Sequence, residues 1–241
     1  MSARPLADLT IAVPRGALFD GTVDLLTDLG LDTGELRSHD RKLLFEDIGV
    51  ITMRPSDVPT YVEAGAADLG ITGKDVLLER AGQAGGSGVR ERGRRQIYEL
   101  LDLGYGRCTM VLATADRVNA DGEHPAAEAL RRLGAMRVAT KYPRIAARHL
   151  EETGRQGEIV EVKGSVELAP LTGLADAIVD LTATGTTLRA NGLVVREELV
   201  DCTARLIANA VAYKLKAEPI DQLLARLRAR AGNTGDPPGG V

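Results

Sequence analysis

An α/β fold with mainly parallel sheets is the fold class this sequence predicts, on three observations. Short apolar runs alternate with segments of helical apolar spacing along most of the chain, and that alternation builds parallel sheets covered by helices. The core must come from Leu, Val, Ile and Ala, because there is no Trp and there are only two Phe; such a core suits strands buried on both faces. The run GSVELAPLTGLADAIVDLTATGTTLRANG at 164–192 reads as helix, buried strand, then a Thr/Gly-rich loop opening a helix. At 241 residues the chain is long enough for one large or two small domains.

The elements follow in order. Leu9 to Val13 is a short apolar strand broken by Pro14-Arg15-Gly16. Leu18 to Leu29 repeats apolar residues at helical spacing and stops at Gly30. Leu43 to Phe45 and Val50 to Met53 read as strands joined by the polar turn 46–49. Pro55-Ser56-Asp57 starts a helix, with Ser56 or Asp57 as its cap and Val58, Tyr61 and Val62 as its buried face. Asp68 to Thr72 is a strand, followed by a turn at Gly73 and a helix from Lys74 to Arg80. The Gly/Arg-rich stretch 82–95 reads as a disordered loop and an insertion.

Beyond it, Cys108 to Thr114, Arg137 to Thr140, Ile159 to Val162 and Ala177 to Leu181 read as strands, with a helix from Pro143 to Glu152. Val166, Leu168, Leu171 and Leu174 fit a short amphipathic helix. Leu193 to Glu198 and Cys202 to Asn209 are the last strands, Asp221 to Arg230 is an amphipathic helix, and 232–241 is a Gly/Pro tail expected to be disordered.

Composition excludes several functions. Thirty Lys and Arg face 34 Asp and Glu, and no basic arm is interleaved with aromatics; a dedicated nucleic-acid binder needs one. No apolar run nears the length of a membrane span. Arg4, Pro5 and Asp8 leave the first residues without a signal-peptide core, so a soluble, cytoplasmic protein is expected. Cys108 and Cys202 give no disulfide framework and read as small buried hydrophobes in a reducing compartment. His39, His124 and His149 lack metal-ligand spacing.

The stretch 177–188 carries the chemistry. Gly185 lets the chain turn sharply, so that backbone N–H groups and the hydroxyls of Thr184, Thr186 and Thr187 can converge on one anion, at the positive end of a helix starting near Thr187. Asp180 sits toward the carboxyl end of the strand, where open α/β sheets keep their ligands. This reads as a phosphate cradle beside a carboxylate for sugar hydroxyls; a Thr/Gly turn that only caps a helix fits the same residues. Gly70-Ile71-Thr72-Gly73-Lys74-Asp75 is not a Walker A loop, since two residues rather than four separate its glycines and Asp75 takes the hydroxyl position.

The order Glu167, Gly173, Ala175, Ile178, Asp180, Thr184, Gly185, Thr187 and Leu188 resembles the signature of the ATP phosphoribosyltransferase family. Further stretches resemble the same family over roughly residues 8–216. They are SHDRKLLFED at 38–47 with Arg41, MRPSDVPTYV at 53–62 with Arg54, the segments around Gly73 and Lys74, and Lys141-Tyr142-Pro143. Pro14-Arg15-Gly16-Ala17-Leu18 departs from it: where many members carry Lys-Gly-Arg, Arg15 keeps the first cation and Ala17 replaces the second.

The resemblance implies a two-lobed fold like type II periplasmic binding proteins, with the active site in the cleft between the lobes. Residues 1–104 and 202–241 would form one lobe and 105–201 the other, which binds phosphoribosyl diphosphate. It implies transfer of a 5-phosphoribosyl group from 5-phosphoribosyl 1-diphosphate to N1 of ATP, releasing pyrophosphate, as the first step of histidine biosynthesis. Thr184, Gly185, Thr186, Thr187 and Leu188 would cradle the 5-phosphate, Asp180 and Glu167 would hold the ribose hydroxyls, and Thr182 would also bind substrate. Arg15 and Arg41, with Mg²⁺ carried mainly by the substrate, would meet the pyrophosphate. Arg54, Gly73, Lys74 and Lys141 would complete substrate binding. The resemblance also implies a short-form chain that works as a homodimer with a separate regulatory subunit resembling histidyl-tRNA synthetase. The rival from another class is a non-catalytic, bilobal small-molecule-binding protein, since fold does not fix function.

Overall fold

The computed structural model describes residues 9–39, 41–81, 97–116 and 135–233, with side chains as far as 230. The Gly/Arg-rich stretch 82–95, His124 and the tail from 234 lie outside the described residues. The chain divides into two compact units, Met1–Leu77 with Val89–Gly106 and Thr203–Val241, and Leu78–Gly88 with Arg107–Cys202.

The first unit is built on a six-stranded sheet in the order β2-β3-β1-β4-β11-β5. Its strands are β1 (Ile11–Pro14), β2 (Leu44–Phe45), β3 (Val50–Met53), β4 (Leu69–Gly73), β5 (Ile97–Asp102) and β11 (Ala204–Asn209). Helices α1 (Phe19–Asp28), α2 (Gly34–Ser38), α3 (Val58–Ala64), α8 (Ala210–Leu215) and α9 (Ala217–Asn233) accompany it. Successive strand residues serve opposite faces. Ile11 and Val13 of β1 and Leu206 of β11 pack with Val23 and Leu26 of α1 and Ile220, Leu223 and Leu227 of α9. Ala12 and Ile207, on the other face, pack with Val58 and Val62 of α3.

The second unit holds a five-stranded sheet in the order β10-β6-β9-β7-β8. The strands are β6 (Cys108–Ala115), β7 (Met136–Thr140), β8 (Gly157–Glu161), β9 (Ala177–Thr182) and β10 (Leu193–Cys202), with helices α5 (Pro143–Glu152), α6 (Leu168–Leu171) and α7 (Thr186–Ala190). Ala177 and Val179 of β9 meet Ile145, Ala146 and Leu150 of α5. Ile178 meets Ala169 of α6 and Leu188 of α7. The chain passes from the first unit to the second within α4 (Lys74–Ala81). The Glu79 carboxylate there accepts the N–H groups of Arg144 and Ile145, each at 3.0 Å, satisfying donors that the first turn of α5 leaves open.

Several expectations are corrected. The sheets are mixed rather than mainly parallel: β1 runs parallel to β3 and β4, and β7 to β8 and β9. However, β2–β3, β4–β11, β5–β11, β6–β9 and β6–β10 are antiparallel. β2 and β3 are joined by the short turn 46–49, which suits an antiparallel pair, and β6 and β11 enter their sheets from the other unit rather than through a helical crossover within the sheet, so nothing holds them parallel. Neither Ser56 nor Asp57 makes a side-chain cap on α3, and Tyr61 is half exposed. Leu168 and Leu174 are likewise exposed; of the expected apolar positions at 166–174, Val166 is buried and Leu171 partly so, with Ala169 completing the buried side. Cys202 ends β10 rather than opening β11.

Two side-chain anchors hold segments of the first unit together. The Tyr105 hydroxyl lies 2.6 Å from Thr22 Oγ1, and burial pushes its pKa up to about 12 despite that hydrogen bond. Gly21 gives the Tyr105 ring its seat, because a Cβ there would come within 2.6 Å of the ring. The Asn209 side chain accepts the N–H groups of Val211 and Ala212 and donates to the Val62 carbonyl, tying the start of α8 to the end of α3.

Candidate active site

The second unit carries a cavity of about 220 Å³ at the carboxyl end of β9. It is lined by Glu167, Asp180, Thr182, Thr184, Thr186 and Thr187, with Ile178 and Leu188 at its apolar side. The strand period explains the set: Ile178, Asp180 and Thr182 alternate onto the face that meets α6 and α7. Glu167 sits at the N-terminal edge of α6. Buried Leu188 anchors α7 in the core, so its side chain holds the loop in place from beneath.

Gly185 adopts φ +70°, a conformation that costs a side chain about 1–2 kcal/mol. A Cβ there would also lie 2.8 Å from an Arg189 guanidinium nitrogen. The helix starts one residue earlier than the sequence indicates, at Thr186. Thr182 Oγ1 accepts the Gly185 N–H at 2.9 Å, Thr184 and Thr186 hydroxyls lie 2.8 Å apart, and Arg189 donates to the Thr184 carbonyl at 2.9 Å. Arg189 is a loop partner that the sequence reading missed; its place in the turn following the glycine was the available signal.

Asp180 accepts the Leu181 N–H at 2.8 Å and pairs with Lys141 Nζ at 3.2 Å. Lys141 follows β7 directly and also lies over the Tyr142 ring, 5.2 Å from its centroid. Lys141, Asp180 and the threonine loop are thus brought together within one unit. Nothing in the spacing of Lys141 and Asp180 announces that pairing; it comes from the parallel register of β7 and β9, which sets Thr140 beside Val179.

The cations expected at the pyrophosphate lie in the first unit. Arg15 stacks over Phe19, 4.7 Å from the ring centroid. Its guanidinium donates to the carbonyls of His39 at 3.2 Å and Lys42 at 3.0 Å, so it grips the turn that carries exposed Arg41. Ser38, His39, Arg41 and Lys42 line an open depression of about 430 Å³. Arg54 is exposed. Asp68 accepts the Thr10 N–H and pairs with Lys216, both at 2.8 Å. Lys74 pairs with Glu99 at 2.8 Å. Gly73 ends β4 directly under the Asp75 carboxylate, leaving no room for a Cβ.

Comparison with known proteins identifies the family. Residues 54–229 match the family model HisG, ATP phosphoribosyltransferase. An ATP phosphoribosyltransferase of Rubrobacter xylanophilus is 48% identical over 234 residues, covering 96% of this chain and 99% of that protein. Among solved structures, the ATP phosphoribosyl transferase (HisG:HisZ) complex from Thermotoga maritima superposes with a TM-score of 0.69 at 31% identity, covering 92% of this chain and 97% of that one. The periplasmic aliphatic sulphonate binding protein SsuA from Escherichia coli shares the fold alone, with a TM-score of 0.55 at 15% identity over 91% of this chain and 70% of that one. On the family match and the extent of these identities, the chain belongs to the ATP phosphoribosyltransferase family.

Proposed function

We propose that the cavity at the end of β9 binds the 5-phosphate and ribose of 5-phosphoribosyl 1-diphosphate, and that Arg15 and Arg41 serve the departing pyrophosphate. As a family member the chain is a pentosyltransferase of histidine biosynthesis. The observation that carries the site assignment is one cavity lined by four threonines and two carboxylates, on a loop that the left-handed Gly185 turns between Thr184 and Thr186. Hydroxyls and backbone N–H groups suit a phosphate dianion, and carboxylates suit ribose hydroxyls.

Adenine N1 carries a lone pair at neutral pH and needs no strong base. As the C1–O bond to pyrophosphate breaks, positive charge develops on the ribose ring, and N1 of ATP adds to C1 from the opposite face. The chain's contribution is positioning and fixed charge. Asp180 and Glu167 hold the hydroxyls and place negative charge near the ring. Lys141, beside Asp180, balances that carboxylate and presents a cation to phosphate oxygens. Arg15 braces the turn from beneath so that Arg41 faces the diphosphate. Arg54, Gly73 and Lys74 line the remaining substrate surface of the first unit.

Mg²⁺ fits this reading as part of the substrate, neutralising diphosphate charge. Among the described residues no three His, Cys, Asp or Glu side chains gather to hold a metal, so the ion would draw most of its oxygen ligands from the diphosphate. A homodimer and a separate regulatory subunit complete the proposal; the support for the latter is the likeness to a chain of a HisG:HisZ complex. The test is an assay with ATP, phosphoribosyl diphosphate and Mg²⁺, with and without such a subunit. Phosphoribosyl-ATP is the expected product, and its absence under both conditions from folded protein would overturn the proposal.

A further inference from the structure

The two cysteines stand directly opposite one another. Cys202, the last residue of β10, and Cys108, the first of β6, are register partners in the antiparallel ladder. Opposed residues on such strands project to the same face with Cβ atoms about 4.5–5.5 Å apart. A disulfide needs about 3.5–4.5 Å, a closing movement that a strand end can supply. The next pair in the ladder shows that side chains do meet across it: Thr109 Oγ1 donates to Asp201 Oδ1 at 2.8 Å. Two residues on, Met110 and Val200 pack in the same core cluster.

Exposure differs between the two thiols. Cys108 is half-buried, whereas Cys202 is 1% exposed. Both lie where the chain passes between its units, after Gly106 and before Thr203.

We propose that Cys108 and Cys202 form a reversible dithiol–disulfide couple, a redox-modification site at the strand ends through which the chain enters and leaves the second unit. The oxidant is a low-molecular-weight disulfide. Cys108, as thiolate, attacks one of its sulfurs, expelling one thiolate and forming a mixed disulfide. Cys202, deprotonated in turn, attacks the Cys108 sulfur and expels the second thiolate. The protein loses two electrons and two thiol protons, the oxidant gains them, and two small thiols leave. The accessible cysteine is thus the attacking group and the buried one resolves. This inference does not depend on the assignment of the β9 cavity.

The test equilibrates the full chain with mixtures of oxidised and reduced glutathione, then traps thiols with acid and an alkylating reagent. The expected result is joint loss of both thiols, a mass lower by two hydrogen atoms, and a peptide linking Cys108 to Cys202 within one chain, all reversed by reductant. Cys202→Ser, or Cys202→Ala if the serine variant folds poorly, should instead accumulate glutathione on Cys108. Cys108→Ser should leave Cys202 unmodified while the protein stays folded. Stable glutathionylation of Cys108 in the unaltered protein, disulfides only between chains, or full retention of both thiols under strongly oxidising mixtures would overturn the proposal.

Discussion

Lys141 Nζ lies 3.2 Å from Asp180 Oδ1, joining the residue after β7 to the cavity-facing side of β9. The pair sets a cation beside Asp180, one of the two carboxylates that line the threonine-rich pocket. Replacing either partner leaves the other charge uncompensated beside the pocket proposed for phosphoribosyl diphosphate. Asp180→Asn is expected to raise KM for phosphoribosyl diphosphate about ten- to hundredfold, from loss of charge-assisted hydrogen bonds worth about 1.5–3 kcal/mol. Lys141→Met should do the same more weakly, since its side chain is more exposed. Initial-rate kinetics with each substrate varied separately check both; an unchanged KM for phosphoribosyl diphosphate in Asp180→Asn contradicts the ribose role.

Gly185→Ala tests the loop. The new Cβ meets a positive φ and the Arg189 guanidinium together. The expected cost is about 1–2 kcal/mol of backbone strain, with Arg189 displaced from the Thr184 carbonyl. Thr187→Ala, which needs no backbone change, should weaken phosphoribosyl diphosphate binding with little loss of stability. Calorimetric titration and thermal denaturation of both variants separate the two effects. Equal affinity in both would reduce the loop to a turn.

For Arg41 the expectation concerns kcat. A cation that meets charge only as pyrophosphate leaves lowers the barrier without tightening ground-state binding. Arg41→Ala should therefore lower kcat more than it raises KM. Arg15→Lys, which loses the planar guanidinium that lies over Phe19 while one of its nitrogens donates to both the His39 and Lys42 carbonyls, should loosen the same turn and reproduce part of the loss. Pre-steady-state measurement of the chemical step distinguishes this from slowed product release.

The acid limb of stability should run through Glu197. Burial alone would raise its pKa, but hydrogen bonds from Arg155 and His149 hold it below its usual value of 4.5. A lowered folded-state pKa gives stabilisation that is complete above the ordinary carboxylate range and lost as pH falls through the lowered value. Glu197→Gln should flatten the fall in melting temperature below about pH 4.5 and lower stability above it. A parallel loss at every pH would assign Glu197 no linkage to protons.

Most elements were legible because their signals are local. The run of β9, the helix from Pro143 and the stop at Gly30 all depend on residues adjacent in sequence. What was not legible depends on distant partners. β5 has a half-buried pattern that becomes a strand only by pairing with β11. The five-residue α2 and six-residue α8 are too short to show a period, and α8 is fixed by Asn209, which reaches back to Val62. Tyr61 and Leu168 carry the right spacing for burial and are exposed all the same, since periodicity locates a face but not its edge. In the site, the threonines, Gly185 and Asp180 were visible as a contiguous motif. The Lys141–Asp180 pair and the Arg15 brace were not, because strand register and loop packing create them.

The place of β11 has a consequence for how the protein is made. This strand lies between β4 and β5 in its sheet, yet it is translated after every residue of the second unit. On the ribosome, the second unit can therefore finish while the first still lacks an inner strand, the reverse of the usual N-terminal-first order. Until residues 204–209 emerge, β4 presents an open edge and β5 has no partner in the sheet. Nascent chains stalled before Ala204 are accordingly expected to show a protease-resistant second unit and a protease-sensitive first. A premature stop there would remove the middle of a sheet rather than trim its end.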